Sequence, residues 1–576
     1  MDLHTLSLVL SIPFYCIKKE YTLWYLDYFD IKLLLVYMNR WTNSIFLFLA
    51  GLLLLFSYGP MFWGYVHAPQ NRFYVGVDDF GLDTMGNLST MMQGYEGKWL
   101  GYFNYTTAIE ERPSILKFEY IFLGHVARLF HLEPLLVFHL SRIILALVYL
   151  FVIKKIIDFF LVSTSGRIAA YVFVLFGTGI TLPWEKYSVM QSVVIDATVL
   201  GRLTRSAHHY MAAGVLTLVS LYSLSIFLDN EKKTRFFVWS IISAMLVSFL
   251  YAPSAIFLAI SAVTFPLLRL IGHMRIGKKE LLFLVLYVFC LLFPIVYVRY
   301  VVAVVWGELN LTSAMEKLNP FSPSIVGYFF GLGGVYLVSM FSLARFGKEK
   351  KSLYYLLLPW LLFHSIAVYL FSGMLDVNAV RWFLTPYAVV FGILAGKGME
   401  NIVTLLVRYF DKAKTWFIVI GLVGIIILSG WWSLKTSFRK AIPCFCNLPN
   451  YDYGYPKKEV VDALIWLRAN SQPKDVVLSD YYGGVLIPAF SGNKVVTSWW
   501  IGLGKIPSYP EIIQPIVWFY KGMMSEESAR LYLSEHHIRY VFFSDQERNL
   551  AAGQKIFYPF LKEVYQQGGT VVYLVE

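Results

Sequence analysis

The sequence predicts an α-helical polytopic membrane protein of about eleven transmembrane helices, with a small C-terminal α/β domain outside the cytoplasm. Three observations predict it. The chain of 576 residues is 57% hydrophobic and only 15% charged, outside the balance of soluble globular chains. Apolar runs approaching the ~20 residues a helix needs to cross hydrocarbon recur along it. Beyond residue 433 the pattern changes to short strands and amphipathic helices.

At the amino terminus, "LHTLSLVLSIPFYCI" is short and aromatic for a span, and no small-residue cleavage site follows it. Residues 1–37 are therefore set apart as an appendage, and Met38, which leads straight into the first strong span, is an alternative start. Spans follow near 43–62, 134–153, 168–184, 209–228, 236–250, 253–271, 281–304, 323–343, 353–372, 382–400 and 416–433. They must be helical, because lipid offers backbone groups no water to bond with.

Basic residues fix the expected orientation. Lys154-Lys155, Lys232 to Arg235, Arg275 to Lys279, Arg345 to Lys351 and Arg408 to Lys414 fall in alternate loops, and basic loops stay cytoplasmic. This places the amino terminus inside and residues 434–576 outside. The net charge of +12 is then a topology signal, and no nucleic-acid-binding module accompanies it. Four cysteines make no disulfide framework: Cys16 and Cys290 read as apolar filler, and Cys444 and Cys446 are a lone C-x-C.

Within the membrane domain, 38–433, the first outer loop (63–133) is long. Leu82, Met85, Leu88, Met92 and Tyr95 recur at helical spacing, as in a helix lying at the interface. A second amphipathic stretch, "SILKFEYIFLGHVARLFHL", follows Pro113. The domain at 434–576 opens with a helix, "KKEVVDALIWLRANS". Strands at "DVVLSD" and "NKVVTSWW", a helix capped by Ser525, and strands at "IRYVFFSD" and "GTVVYLV" follow. It holds no glycine-rich phosphate loop.

Charges in unexpected places carry the functional reading. Arg142, Arg202, Arg205 and Arg381 map to outer ends of spans, with Arg299 deeper, against the bias that orients the chain. An anion at the outer interface, such as a lipid carrier's phosphate, is the ligand such cations suit; snorkelling or pairing with Glu185 and Asp196 is the competing explanation. His208 and His209 begin a span, but adjacent residues face different sides of a helix, so they suit a phosphate or sugar contact better than a shared metal. Asp78, Asp79, Asp83, Glu110 and Glu111 share the first outer loop. Held near lipid by the flanking aromatics and interfacial helices, such acids are partly desolvated and shifted toward the pKa a general base requires; a solvated acidic loop is the alternative.

These features together resemble the GT-C superfamily of membrane glycosyltransferases, which use polyprenyl-phosphate-linked sugars. The likeness lies in Val77-Asp78-Asp79-Phe80, Gly97-Lys-Trp-Leu100, Tyr105-Thr-Thr and Glu110-Glu111, in "FLGHVARLFHLEPLLVFHLSRIILAL" through Arg142, and in "WLRANSQPKDVVLSDYYGGVLIPAFSGNKVV" of the tail. It is strongest toward uncharacterised prokaryotic members. The family's loop-one aspartate maps to Asp79 or Asp78, and its late phosphate-binding arginine to Arg381 in "DVNAVRWFLTP". Two elements depart from the pattern: "LYAPSA" stands where a His-Pro-Tyr-like element is expected, and Ser206-Ala207 where an acid should precede the histidines.

What the resemblance implies is transfer of a hexose or pentose from a polyprenyl-phosphate donor to a glycan, lipid or protein acceptor, on the extracytoplasmic face and with inversion. Asp79 is the expected base. Arg381, with Arg142 and Arg205, holds the departing phosphate, His208 and Glu110 contact substrate, and Asp78 or Glu111 orients the acceptor or a divalent ion (Mg or Mn). Metal use varies across the superfamily. Two other classes compete: a transporter or flippase for lipid-linked sugars, which calls for mid-membrane charges and repeated halves, and a non-catalytic glycan-binding membrane protein.

Overall fold

In the computed structural model, the described residues are 24–77, 81–108, 112–180, 197–204, 208–230, 232–301, 322–375, 377–431, 435, 452–498, 509–553, 556 and 558–576. The chain divides into two compact units, residues 1–48 and 49–576. Residues 24–37, set apart in sequence as an appendage, are helical: helix α1 runs without a break over Trp24–His67.

Helices α2 (Gly81–Tyr95) and α3 (Phe118–Leu129) lie in the first long loop. Membrane helices follow: α4 (Pro134–Phe160), α5 (Thr164–Phe176), the short α6 (Val199–Thr204), α7 (His208–Asp229), α8 (Thr234–Leu250), α9 (Ala252–Ile271) and α10 (Lys278–Tyr300). Then come α11 (Ile325–Met340), α12 (Ser352–Ile366), the one-turn α13 (Val380–Phe383), α14 (Tyr387–Leu406) and α15 (Lys412–Ser429). Among the described residues, nine helices are long and apolar enough to cross a membrane, and α5 and α8 are shorter apolar helices. Each of the eleven predicted spans thus meets a helix. The predicted run 168–184 is cut at Phe176 by Gly177, where an added Cβ would lie 2.2 Å from Phe173 O; residues 181–184 lie outside the described set. The predicted start at 382 is also divided, because Pro386 has no N–H to continue α13 into α14.

At one end of the bundle, polar contacts gather several loops. Glu400 Oε1 accepts from the Val162 and Ser163 amides at 3.1 and 2.9 Å. Lys397 pairs with Glu349 at 2.7 Å and with Glu400 at 3.2 Å, and the Ser352 amide donates to Asp229 at 2.9 Å. The 161–163, 229 and 349–352 segments therefore share one end, as the alternating basic loops require.

The tail contains α16 (Lys458–Asn470), β1 (Val476–Leu478), α17 (Gly483–Phe490), β2 (Lys494–Val495), α18 (Tyr509–Tyr520), α19 (Glu526–Glu535), β3 (Ile538–Phe543), α20 (Asp545–Leu550), β4 (Leu561–Gln567) and β5 (Thr570–Val575). Its five strands are ordered β2-β1-β3-β5-β4. β1 is parallel to β2 and β3; β5 is antiparallel to β3 and β4. Edge strand β4, "LKEVYQQ", has no expectation in sequence, because an edge strand half open to solvent lacks a clean apolar alternation. Ser525 caps α19 as expected, accepting from the Ser528 amide.

The first long loop and the tail, separate segments in sequence, share one hydrophobic core. Val75, Val77, Met85, Leu88 and Tyr120 pack in one cluster with Val460, Leu464, Val485, Leu486 and Phe490. Backbone bonds join them: Phe73 N to Pro456 O and Val75 N to Gly454 O, both 2.9 Å. Helices α2 and α3 cross at two glycines. A Cβ on Gly124 would sit 2.0 Å from Met91 O, and one on Gly94 2.1 Å from Ile121 O.

Candidate functional site

The segment leading to the acid cluster is held from behind. Tyr74, Val75 and Val77 are buried, and Gly76 takes φ +82°, with an added Cβ only 2.5 Å from His139 Nε2 and 2.7 Å from Tyr65 Oη. Any side chain there is excluded by space and by backbone. His139 Nδ1 lies 3.2 Å from Arg142 Nη1, which can only donate, so Nε2 carries the proton and donates to Val75 O at 2.8 Å. Arg142 is fully buried and also donates to Gly76 O at 3.4 Å and to Thr204 O at 3.0 Å. It joins α4, the 75–77 segment and the end of α6. Asp78 and Asp79, which follow directly, lie outside the described residues, as do Glu110, Glu111 and Arg205.

What the structure does place is a cluster partly absent from the sequence reading. Asp83 in the first turn of α2 and Lys117 at the start of α3 are both open to solvent, yet protein atoms crowd around each. Burial pushes the Asp83 carboxyl above its ordinary range, opposed by the charges of Lys117 and then Arg381. Lys117 is pushed down by the same burial, opposed by Asp83 and Glu119. Its backbone is left-handed, φ 62°, and Nζ reaches Asn87 Oδ1 at 3.4 Å. Glu119 is raised to about 7 by burial, opposed by a backbone hydrogen bond and then by Lys117; its Oε2 is buried without a hydrogen-bond partner.

From the membrane side, α7 and α13 complete the cluster. Tyr120 Oη lies 3.1 Å from His209 Nδ1, and Lys117 and Arg381 are cationic neighbours of His209. Arg381 Nη1 donates to Tyr210 Oη at 3.2 Å, and the Tyr251 hydroxyl donates to Arg381 O at 2.5 Å. Arg202 fixes this corner. It donates to Leu384 O and Thr385 O, each at 2.6 Å, and to Tyr210 O at 2.9 Å. The break at Pro386 leaves those carbonyls free to accept. His208 is buried and donates from Nε2 to Phe138 O at 2.8 Å, with Ser141 Oγ also at 2.8 Å.

Of the residues expected from sequence, Arg381 stands in this cluster, while Arg142 and His208 are buried on backbone carbonyls. Asp83, one of the acids of the first long loop, stands with Arg381. Lys117, Glu119 and His209 complete the group. One signal could have found the first two: "LKFEY" places a cation and an acid in an otherwise apolar stretch. Among the described residues no group of three histidine, cysteine or acidic side chains is arranged to hold a metal ion.

No protein-family model matches the chain, and no curated protein matches it in sequence. Solved structures do. The apo oligosaccharyltransferase of Archaeoglobus fulgidus aligns over 93% of this chain and 74% of its own, with TM-score 0.54 and 13% identity. Apo ArnT from Cupriavidus metallidurans aligns over 93% of this chain and 98% of its own, with TM-score 0.47 and 12% identity. The first of these shows the fold: this polytopic helical chain with its C-terminal α/β domain has the fold of the Archaeoglobus fulgidus oligosaccharyltransferase.

Proposed function

We propose that this protein is a membrane glycosyltransferase, moving a sugar from a polyprenyl-phosphate-linked donor to an acceptor hydroxyl at the extracytoplasmic face. The observation that carries the reading is that Asp83, in the helix that follows Asp78 and Asp79, has Lys117 and Arg381 as its cationic neighbours.

A carboxylate with a raised pKa takes the acceptor's proton. The acceptor oxygen then bonds to C1 of the sugar from the face opposite the phosphate, and the C1–O bond to phosphate breaks with inversion. Negative charge grows on the departing phosphate, and fixed cations stabilise it most in the transition state. Arg381 has the planar fork that two phosphate oxygens fit, and Lys117 adds a second positive charge. The resemblance puts the base at Asp79; the described cluster holds Asp83 four residues on. Arg142, Arg202 and His208 serve as positioning residues, holding the 75–77 segment and the corner at Leu384 and Thr385. No step is routed through a metal ion.

The test is release of polyprenyl phosphate and sugar transfer by the purified full-length protein, with donor binding measured in parallel. Removing a general base costs about 10²–10⁴-fold in rate, so Asp79→Asn or Asp83→Asn should lose transfer and keep donor binding. Full turnover in both variants and in the double variant would overturn the acid-base reading. Binding without transfer by the wild type, across hexosyl and pentosyl donors and acceptors of all three classes, would favour a carrier.

A further inference from the structure

A cavity lies between α1, α2, α4 and α16, and nothing in the proposed reaction uses it. It has a volume of about 470 Å³, within the range of small-molecule sites. The outer ends of α1 and α4 form its sides, through Phe62, Leu140 and Ile143; Leu88 of α2 with Val461 and Ile465 of α16 closes it. The walls are almost wholly apolar. Two polar side chains face it, Tyr65 and His139, and His139 Nε2 is turned to Val75 O. The rim is different. There Arg468 of α16 grips Glu133 with two nitrogens, at 2.8 and 3.1 Å, and Glu133 remains 64% exposed.

The open side decides the occupant. Helices α1 and α4 are both long and apolar enough to cross a membrane, and Phe62, Leu136 and Leu140 beside the slot are 45–57% exposed. Such a mouth opens onto hydrocarbon and not onto water, and an apolar cavity of this kind excludes water. We propose that the slot binds one acyl chain of a bilayer glycerophospholipid, its headgroup level with the Arg468–Glu133 pair and its chain end under α16. The charged cluster of Asp83 lies on the opposite face of α2. On that helix Asp83 and Asn87 lie on one side and Leu88 and Met92 on the other, as a 3.6-residue repeat dictates. A chain in the slot packs against Tyr65 and His139, the two side chains that leave no room at Gly76, and so braces the segment that leads into the acids. The inference rests on the membrane fold and is independent of sugar transfer.

Photolabelling tests it. The full-length protein is placed in nanodiscs of phosphatidylcholine carrying a diazirine on one acyl chain, irradiated, digested and mapped by mass spectrometry. Label on Leu140 does not count for the slot, because that residue already faces lipid, and label there without label at Leu88 and Val461 counts against it. The expected result is label on Leu88 and Val461, which are buried from the bulk bilayer. Ile143→Trp and Ile465→Trp should each lower that label about tenfold, since an indole in the slot denies the chain roughly two methylenes of burial. Ile465 is 40% exposed, so its variant tests the slot even where Ile143→Trp fails to insert. Absence of label at Leu88 and Val461 overturns the proposal, as does label there that neither variant reduces. Preferential labelling of the same residues by a diazirine-bearing polyprenyl phosphate would assign the slot to an isoprenoid chain and overturn the acyl reading.

Discussion

Arg381 shows what a residue's surroundings add to its charge. Its side chain is tied to Tyr210 and its carbonyl to Tyr251, while Arg202 holds the two residues that follow α13. A guanidinium fixed in this way is pre-organised for a phosphate, and a lysine keeps the charge but loses the fork. Arg381→Ala is expected to lower kcat/KM for the donor by about 10²–10³-fold, the range for removing one transition-state donor. Arg381→Lys should fall between that and wild type. Steady-state kinetics on protein matched for membrane insertion checks it; wild-type values for both variants would move the phosphate site elsewhere.

Glu119 gives a prediction with a sign. Its pKa in the folded protein is about 7, against an ordinary 4.5. Below pH 4.5 both states hold the proton, and folding stability is indifferent to it. Between 4.5 and 7 the unfolded chain loses the proton while the folded chain keeps it, so stability declines as pH rises through that window and levels off above it. Glu119→Gln removes this contribution. Thermal midpoints in detergent from pH 5 to 8 should show a smaller decline for the variant than for wild type, with the variant the more stable of the two at pH 8. An unchanged slope would mean that Glu119 titrates normally.

Among elements, the crossing of α2 and α3 positions the charged cluster. Asp83 and Lys117 meet because two helices distant in sequence approach until Gly124 and Gly94 touch the opposing backbone. Backbone cannot retreat as a flexible side chain does. Gly124→Ala should therefore lower stability by about 1–3 kcal/mol, the usual cost of overpacking. Activity should fall with it, because the shift displaces Lys117 relative to Asp83. Thermal unfolding and transfer assays on the same preparation test both; an unchanged midpoint would show that the crossing can adjust. Elements also show where periodicity reads well and badly. Helix α2 was legible because Leu82, Met85, Leu88 and Met92 share a stripe. Strand β4 was not, since an edge strand needs no apolar alternation, and the break between α13 and α14 was hidden by the apolar run around it.

For the whole molecule, the question is which end of the bundle faces the cytoplasm. The loops at 161–163, 229 and 349–352 gather at one end through Glu400, Lys397 and Asp229, and the sequence makes this end basic. The positive-inside bias then predicts that a reporter fused after Glu576 is active outside the cytoplasm and one inserted near Lys350 is active inside. Reversal of either result would turn the proposed reaction to the other face.

The sequence by itself determined the class of the molecule: a helical membrane protein with alternating basic loops and a tail of strands and amphipathic helices. These are properties of local composition and period, and lipid enforces them segment by segment. It also singled out Arg381 and drew attention to the acid-rich exit loop. Only the tertiary structure decided that the loop and the tail share one core, that Arg142 and His208 turn inward onto carbonyls, and that Lys117, Glu119 and His209 stand with Asp83 and Arg381. Those facts depend on which helix faces meet across hundreds of residues. A charged side chain has the same letter whether it ends at a carbonyl or at a cavity, so its partners become readable only once the chain is packed.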